Sequence, residues 1–171
     1  MKYYLGQGLK MWGVYVLFAV ISTLLLTLFT FAVTNETGTL IYSCITAVWF
    51  LSKIYSISWE NGKKDGRKSP EHPYKAINGF VFGIVSVIPS IVIAIIYEIN
   101  FNGEISRVLY NLYLSTFIGF VDGFSKTPLW ISLVIYLVIV TTSGVGYIIG
   151  KRKFSFVETY LPKIVYKQKK D

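Results

Sequence analysis

The chain has 171 residues, 53% of them hydrophobic and only 15% charged, with a net charge of +8. That balance excludes an ordinary water-soluble domain, in which about a quarter of the residues are charged. The basic excess does not indicate nucleic acid either, because the cations stand at the ends of apolar runs rather than along a groove between aromatic residues.

Met11 to Val33 is a run of 23 residues without a charge, enough to cross a hydrocarbon layer of about 30 Å as a helix rising about 1.5 Å per residue. Lys2 and Lys10 precede it as they would a signal peptide, but the run is too long and no small-residue cleavage site follows, so it is expected to remain as a membrane anchor. Thr34 to Thr39 is a polar turn that suits an antiparallel helical hairpin. Its Asn35-Glu36-Thr37 triplet fits a glycosylation acceptor; a composition rich in Ile, Lys, Tyr and Asn points to a bacterial protein, in which the match is chance. The second span, 40–57, carries Lys53 about one turn from its end, where a long side chain reaches the headgroups. The third is 76–97. The fourth is 129–150, entered by Thr127-Pro128-Leu129-Trp130, with proline in a first turn and tryptophan at the interface.

Between the third and fourth spans, Val108 to Val121 is uncharged for 14 residues, the length of a re-entrant or interfacial helix rather than of a span. If it crossed, the seven cations from Lys151 onward would lie outside. The segment 105–121, with Arg107, Asn111 and Ser115 in a mixed pattern, is therefore expected to be an outer-face helix lying on or dipping into the membrane. In the tail, 151–171, basic clusters alternate with Phe154, Val157, Leu161 and Ile164 at helical spacing, although Pro162 breaks the pattern. This suits a helix on the inner leaflet; a regulatory or partner-docking tail is the alternative.

Orientation follows from the polar stretch Trp59 to Lys75. With the segments before Met11, from Ile57 to Lys75 and from Lys151 onward assigned to the cytoplasm, and Lys53 beside them, that side holds 15 cations and 5 anions. The other side holds Arg107 and Lys126 against Glu36, Glu98, Glu104 and Asp122, a positive-inside distribution. Lys63, Lys64, Arg67, Lys68, Lys151, Arg152 and Lys153 are expected to contact the anionic inner leaflet, at about 1 kcal/mol per cation near the surface. The expected fold is all-α: a polytopic transmembrane four-helix bundle with an extra outer-face interfacial or re-entrant helix. It forms a single membrane domain over 1–171 in the cell membrane, with both termini cytoplasmic.

Catalytic equipment is not visible. His72 is the only histidine, in Pro-Glu-His-Pro of the polar stretch, and Cys44 is the only cysteine, inside an apolar run. A metal site needs three or four ligands, so neither metal nor cofactor is expected. No carboxylate stands in the middle of a span. Glu98, Glu104 and Asp122 could gather as a cation site on the outer face, or be solvated charges at helix ends. The features that stand out concern packing. Gly79-x-x-x-Gly83 and Gly146-x-x-x-Gly150 fall at matching depths in opposite-running spans, where they could face each other or join two copies. Pro89 should bend the third span near Val85, with Ser86 and Ser90 available to the freed carbonyls. Thr141, Thr142 and Ser143 lie at mid-depth in the fourth span. With the serines around Pro89 they could line a polar path, or act as interhelical glue at about 0.6 to 1 kcal/mol per contact.

Taken with Tyr55-Ser56-Ile57-Ser58-Trp59-Glu60, Lys75 to Gly79, Ile88-Pro89, Gly146-Tyr147-Ile148-Ile149-Gly150-Lys151 and Ile164-Val165-Tyr166-Lys167, the order of features resembles small four-span membrane proteins of Gram-positive bacteria that have no assigned function. The resemblance implies topology and carries no functional residue. The expected role is non-enzymatic, an accessory or scaffold protein packing with itself or with a membrane protein partner in a bilayer whose inner leaflet is anionic. A small oligomeric channel or transporter using the polar face of spans three and four is the alternative, and a lipid-headgroup enzyme is third.

Overall fold

The computed structural model describes residues 2–28, 36–66, 75–99, 104–120 and 129–151. Arg67, Lys68, His72, Asp122, Lys126, Arg152, Lys153 and the rest of the tail lie outside them. The described chain is all-α: α1 (Lys2–Leu28), α2 (Glu36–Asp65), α3 (Asn78–Ile99), α4 (Glu104–Leu114), a 3₁₀ segment (Ser115–Phe120) and α5 (Leu129–Lys151). Four of these helices, α1, α2, α3 and α5, are long and apolar enough to cross a membrane. Their outward faces are apolar, with Leu17, Leu24, Ile45, Val48, Val92 and Leu137 each about half exposed. Small hydroxyls turn inward instead: Ser43, Ser58, Ser132, Ser143 and Thr116 are fully buried. An apolar exterior over a core containing hydroxyls fits a bilayer, where association rests on packing and interhelical hydrogen bonds. This is a multi-pass membrane protein.

α1 and α3 run parallel, as do α2 and α5, and the two pairs are antiparallel to each other. One end of the bundle therefore gathers the starts of α1 and α3 and the finishes of α2 and α5. With Lys63, Lys64, Lys75 and Lys151 there, it is the basic end. At this end α5 lies against α2 and α3 through glycine. A Cβ on Gly150 would overlap the Trp59 carbonyl, one on Gly62 the Tyr147 carbonyl, and one on Gly83 would come within 2.9 Å of Val140 Cα. The two spaced glycine pairs do not meet each other: Gly79 and Gly83 face α5, whereas Gly146 and Gly150 face Tyr55 and Trp59 of α2. Because α5 is sandwiched between two helices, each neighbour takes its own glycine face.

Residues 104–120 do not lie on the surface of the bundle but enter it from the opposite end. α4 inserts Ser106, Tyr110, Tyr113 and Leu114 and leaves Ile105 and Val108 on the outside. Tyr110 stacks on Tyr97 of α3 at 4.3 Å between ring centres and shares a 2.6 Å hydrogen bond with Ser132 of α5. The helix ends where Ser115 and Thr116 offer hydroxyls that compete for backbone partners. Ser115 Oγ lies within reach of Leu112 O at 2.7 Å and of Ala19 O in α1 at 3.0 Å. Phe117 leaves helical geometry, with φ −118° and ψ 16°. The chain then climbs back, and Gly119 reaches the start of α2, where a Cβ would come within 2.5 Å of the Thr39 carbonyl oxygen.

Irregular backbone at membrane depth is tolerated only where protein or water completes its hydrogen bonds. Here α1 and α2 do so. Tyr15 Oη donates to Tyr113 O at 3.3 Å, Thr46 Oγ1 to Thr116 O at 2.9 Å, and Gly119 N donates to Ser43 Oγ at 2.6 Å. Ser22 and Thr116 hydroxyls pair at 3.1 Å, and Tyr42 Oη donates to Ser22 O at 2.5 Å. The segment is a wedge held from both sides.

Candidate functional site

The charge buried deepest among the described residues is Asp65, 4% exposed, in the last turn of α2. α2 does not end near Ile57 but continues through the first part of the expected loop. Its inward face there presents Ser58, Asn61 and Asp65 at helical spacing, all buried. The outward face carries the charges: Lys64 pairs with Glu60 at 2.8 Å, and Lys63 lies 4.7 Å above the Trp59 ring. The Glu60–Lys64 pair is solvent-facing and contributes little to stability.

Four helix ends converge on the Asp65 carboxylate. Tyr3 Oη of α1 donates to Oδ1 at 2.7 Å and Tyr147 Oη of α5 donates to Oδ2 at 2.7 Å. Asn78, the first residue of α3, donates through Nδ2 to Tyr147 Oη at 3.2 Å. A carboxylate in the last turn of a helix faces the negative end of that helix's dipole. The starts of α1 and α3, which bring Tyr3 and Asn78, supply positive ends and hydroxyl or amide donors in return. Among the described residues no lysine or arginine forms an ion pair with Asp65.

Two turns deeper, Ser58 and Ser143 hydroxyls meet at 3.0 Å, and Ser143 Oγ donates to Gly79 O at 2.7 Å. Since Ser143 has one proton and the carbonyl only accepts, Ser58 is the donor in the serine pair. Asn61 stands between the two levels on the same face of α2. It is 5% exposed, and its Nδ2 has no hydrogen-bond partner. Above the serines the interior is apolar: Phe50, Ile54 and Ile139 are fully buried.

The expected polar path is not assembled as expected. Ser86, Ser90 and Ser143 are buried, with Ser86 Oγ donating to Gly83 O at 2.7 Å and Tyr136 Oη to Ser90 O at 3.2 Å. Thr141 and Thr142 turn away from α3 and donate back to their own helix, at Leu137 O (2.6 Å) and Val138 O (2.7 Å). In a continuous helix, consecutive residues diverge by about 100°, so three adjacent hydroxyls cannot share one face. α3 continues as a helix through Pro89.

Of the residues expected at the inner leaflet, Lys63, Lys64 and Lys151 are at the basic end. Glu98 and Glu104 are exposed, at the finish of α3 and the start of α4. Among the described residues there is no group of three or more His, Cys, Asp or Glu side chains placed to hold a metal. Asp65, Tyr3, Tyr147, Asn78 and Asn61 were not anticipated as a cluster. The signal lay in Ser58, Asn61 and Asp65 at offsets of three and four, and in Gly62-x-x-x-Gly66, which continue α2 into the polar stretch. Comparison with known proteins adds no assignment: no family model, curated protein or solved structure matches the chain.

A second feature lies on the outside. Toward the end away from the basic cluster, residues of α2, the 3₁₀ segment and α5 line an open apolar cleft of about 520 Å³. Cys44, Val48, Phe117, Phe120, Trp130 and Val134 are among its lining residues, and Cys44 is exposed in it.

Proposed function

We propose that the chain is a non-enzymatic accessory or scaffold protein of a bacterial cell membrane, with both termini cytoplasmic and the basic end on the anionic inner leaflet. The observation that carries this reading is the filled interior. Phe50, Ile54 and Ile139 fill the bundle at mid-height, and most hydroxyls on either side of them bond to one another or to backbone. The accessible feature is the outward cleft, whose α2 side offers Cys44, Ala47 and Val48 at helical spacing. Small residues at such spacing favour close approach of a neighbouring transmembrane helix.

The lone cysteine tests this directly. In native membranes, a photoactivatable crosslinker placed on Cys44 should give a protein adduct of defined mass that is lost in Cys44→Ser. The identity of the adduct distinguishes a second copy from a foreign subunit. A chain that extracts as a bare monomer and crosslinks only to lipid would overturn the reading.

A small channel or transporter is the second reading, favoured by the wedge and by the buried carboxylate. Ion or solute flux in liposomes that disappears in Asp65→Asn would support it. Flux equal to that of empty liposomes would remove it.

A further inference from the structure

α2 continues about two turns past the expected end of the second span, and this changes the depth of Lys53. In a helix running from Glu36 to Asp65 it stands near the middle rather than one turn from the end. Ser58 against Ser143 and Tyr55 against Gly146 set the register with α5, and Lys53 falls beside the middle of that helix too. Its side chain is exposed. Among the described residues no carboxylate pairs with it and no hydrogen bond holds its ammonium. Ionisable groups at such depth almost always face the bundle interior or a watery cavity and pair with another group. Lys53 faces outward, toward lipid.

Snorkelling does not relieve this charge. Lys63 and Lys64 lie about 15 Å further along the axis and Glu36 about 25 Å back, distances that a four-carbon stem does not cover. Helical side chains also lean toward the start of their own helix, which for α2 is the end away from the basic one. Exposed Lys10 is the contrast: α1 starts at the basic end, so the same lean carries its ammonium toward the headgroups. The surface around Lys53 suits a helix. Cys44, Val48, Ser52 and Ser56 are all exposed and follow one another at four-residue steps, so a row of short side chains continues from the cleft past Lys53. Ser52 Oγ turns back on Val48 O at 2.7 Å. Short residues at this spacing let a neighbouring helix approach closely.

We propose that Lys53 docks a transmembrane helix of a different protein, one that carries an aspartate or glutamate near mid-depth. The inference rests on the accessory reading and names the chemistry of the partner. Charge complementarity selects a foreign helix over a second copy. Glu36, Glu60, Asp65, Glu98 and Glu104 stand toward helix ends, Glu60 is paired with Lys64, and the other carboxylates of the chain lie outside the spanning helices.

The test uses native membranes containing the tagged full-length chain and dicyclohexylcarbodiimide, a lipid-soluble reagent that activates carboxylates shielded from water. The Lys53 amine attacks the activated carboxyl, an amide forms, and dicyclohexylurea leaves. The expected product joins Lys53 to an aspartate or glutamate within an apolar segment of another protein, identified as a linked peptide pair by mass spectrometry. Lys53→Arg should keep that partner in mild-detergent extracts but lose the link. Lys53→Leu should lose both, while the isolated chain melts no lower than wild type. Absence of the link in wild type, a link to a second copy alone, or undiminished co-extraction in Lys53→Leu would overturn the proposal. So would reaction of Lys53 with an impermeant amine reagent in inside-out vesicles as readily as Lys63, which would put its ammonium among the headgroups. A Cys44 protein adduct that forms in wild type without any Lys53 link would leave the accessory reading standing and overturn this inference alone.

Discussion

Replacing glycine with alanine along the bundle should change stability in opposite directions at different positions. In a helix interior alanine is favoured over glycine by about 0.5–1 kcal/mol. At Gly6 and Gly13 of α1 a new Cβ meets nothing within 4 Å, so the propensity gain should appear undiminished. At Gly150 the same Cβ would overlap the Trp59 carbonyl, and at Gly146 it would come within 2.8 Å of Tyr55 O. A helix carbonyl cannot rotate aside as a side chain does, so α5 must move away from α2. Overpacking of this kind costs about 1–3 kcal/mol, which outweighs the propensity gain. Gly150→Ala and Gly146→Ala should therefore be destabilised by a net of about 0.5–2 kcal/mol, while Gly6→Ala and Gly13→Ala are neutral or stabilised. For a chain of this length 1 kcal/mol moves the melting temperature by about 2–4 °C, within reach of a thermal scan of purified protein in mild detergent. If all four variants shifted in the same direction, the close α2–α5 contact would be refuted.

Thr46→Val removes the donor to Thr116 O at nearly constant shape and should cost about 0.6–1.7 kcal/mol, the range for hydrogen bonds between membrane helices. Thr141→Val, on an outward-facing hydroxyl bonded to its own helix, should leave the melting temperature unchanged in the same scan. Ser43→Ala leaves the Gly119 N–H without its acceptor and should lower stability by about 1–3 kcal/mol. A lipid-soluble maleimide should label Cys44 in the folded protein, and Val48→Trp, which fills the cleft beside it, should slow that labelling several-fold; equal rates would contradict the cleft. Cysteines introduced at Ser69 and Lys126 in a Cys44→Ser background should react with an impermeant reagent from opposite sides of the membrane.

The long apolar runs and the helical fold class were legible in the sequence because length and absence of charge are local properties. Where the helices stop was less so. The polar residues from Trp59 onward suggest a loop, yet α2 continues to Asp65, since Glu60, Lys63 and Lys64 face outward and Ser58, Asn61 and Asp65 face the bundle. Polarity by itself does not end a helix, and the periodicity of the polar residues was the better guide. The segment 105–121 was recognisable as too short to span, but its depth depends on acceptors and donors in α1 and α2 that no local pattern reveals. The glycine pairs could be found by spacing, whereas the helix each one faces is a property of the assembled bundle. Thr141 and Thr142 show the converse: adjacency in sequence suggested one polar face that helical geometry divides.

The two unusual regions of the bundle solve related problems by different chemistry. At the basic end, four helix termini meet around a carboxylate, and tyrosine hydroxyls and an asparagine amide occupy the gap that differently directed helices leave. At the opposite end, the wedge ends its helical hydrogen bonding early and takes partners from Ser43, Thr46 and Tyr15 instead. Between these regions glycine holds α2 and α5 together near Asp65, and Phe117 packs against Phe50 of α2 with ring centres 5.9 Å apart.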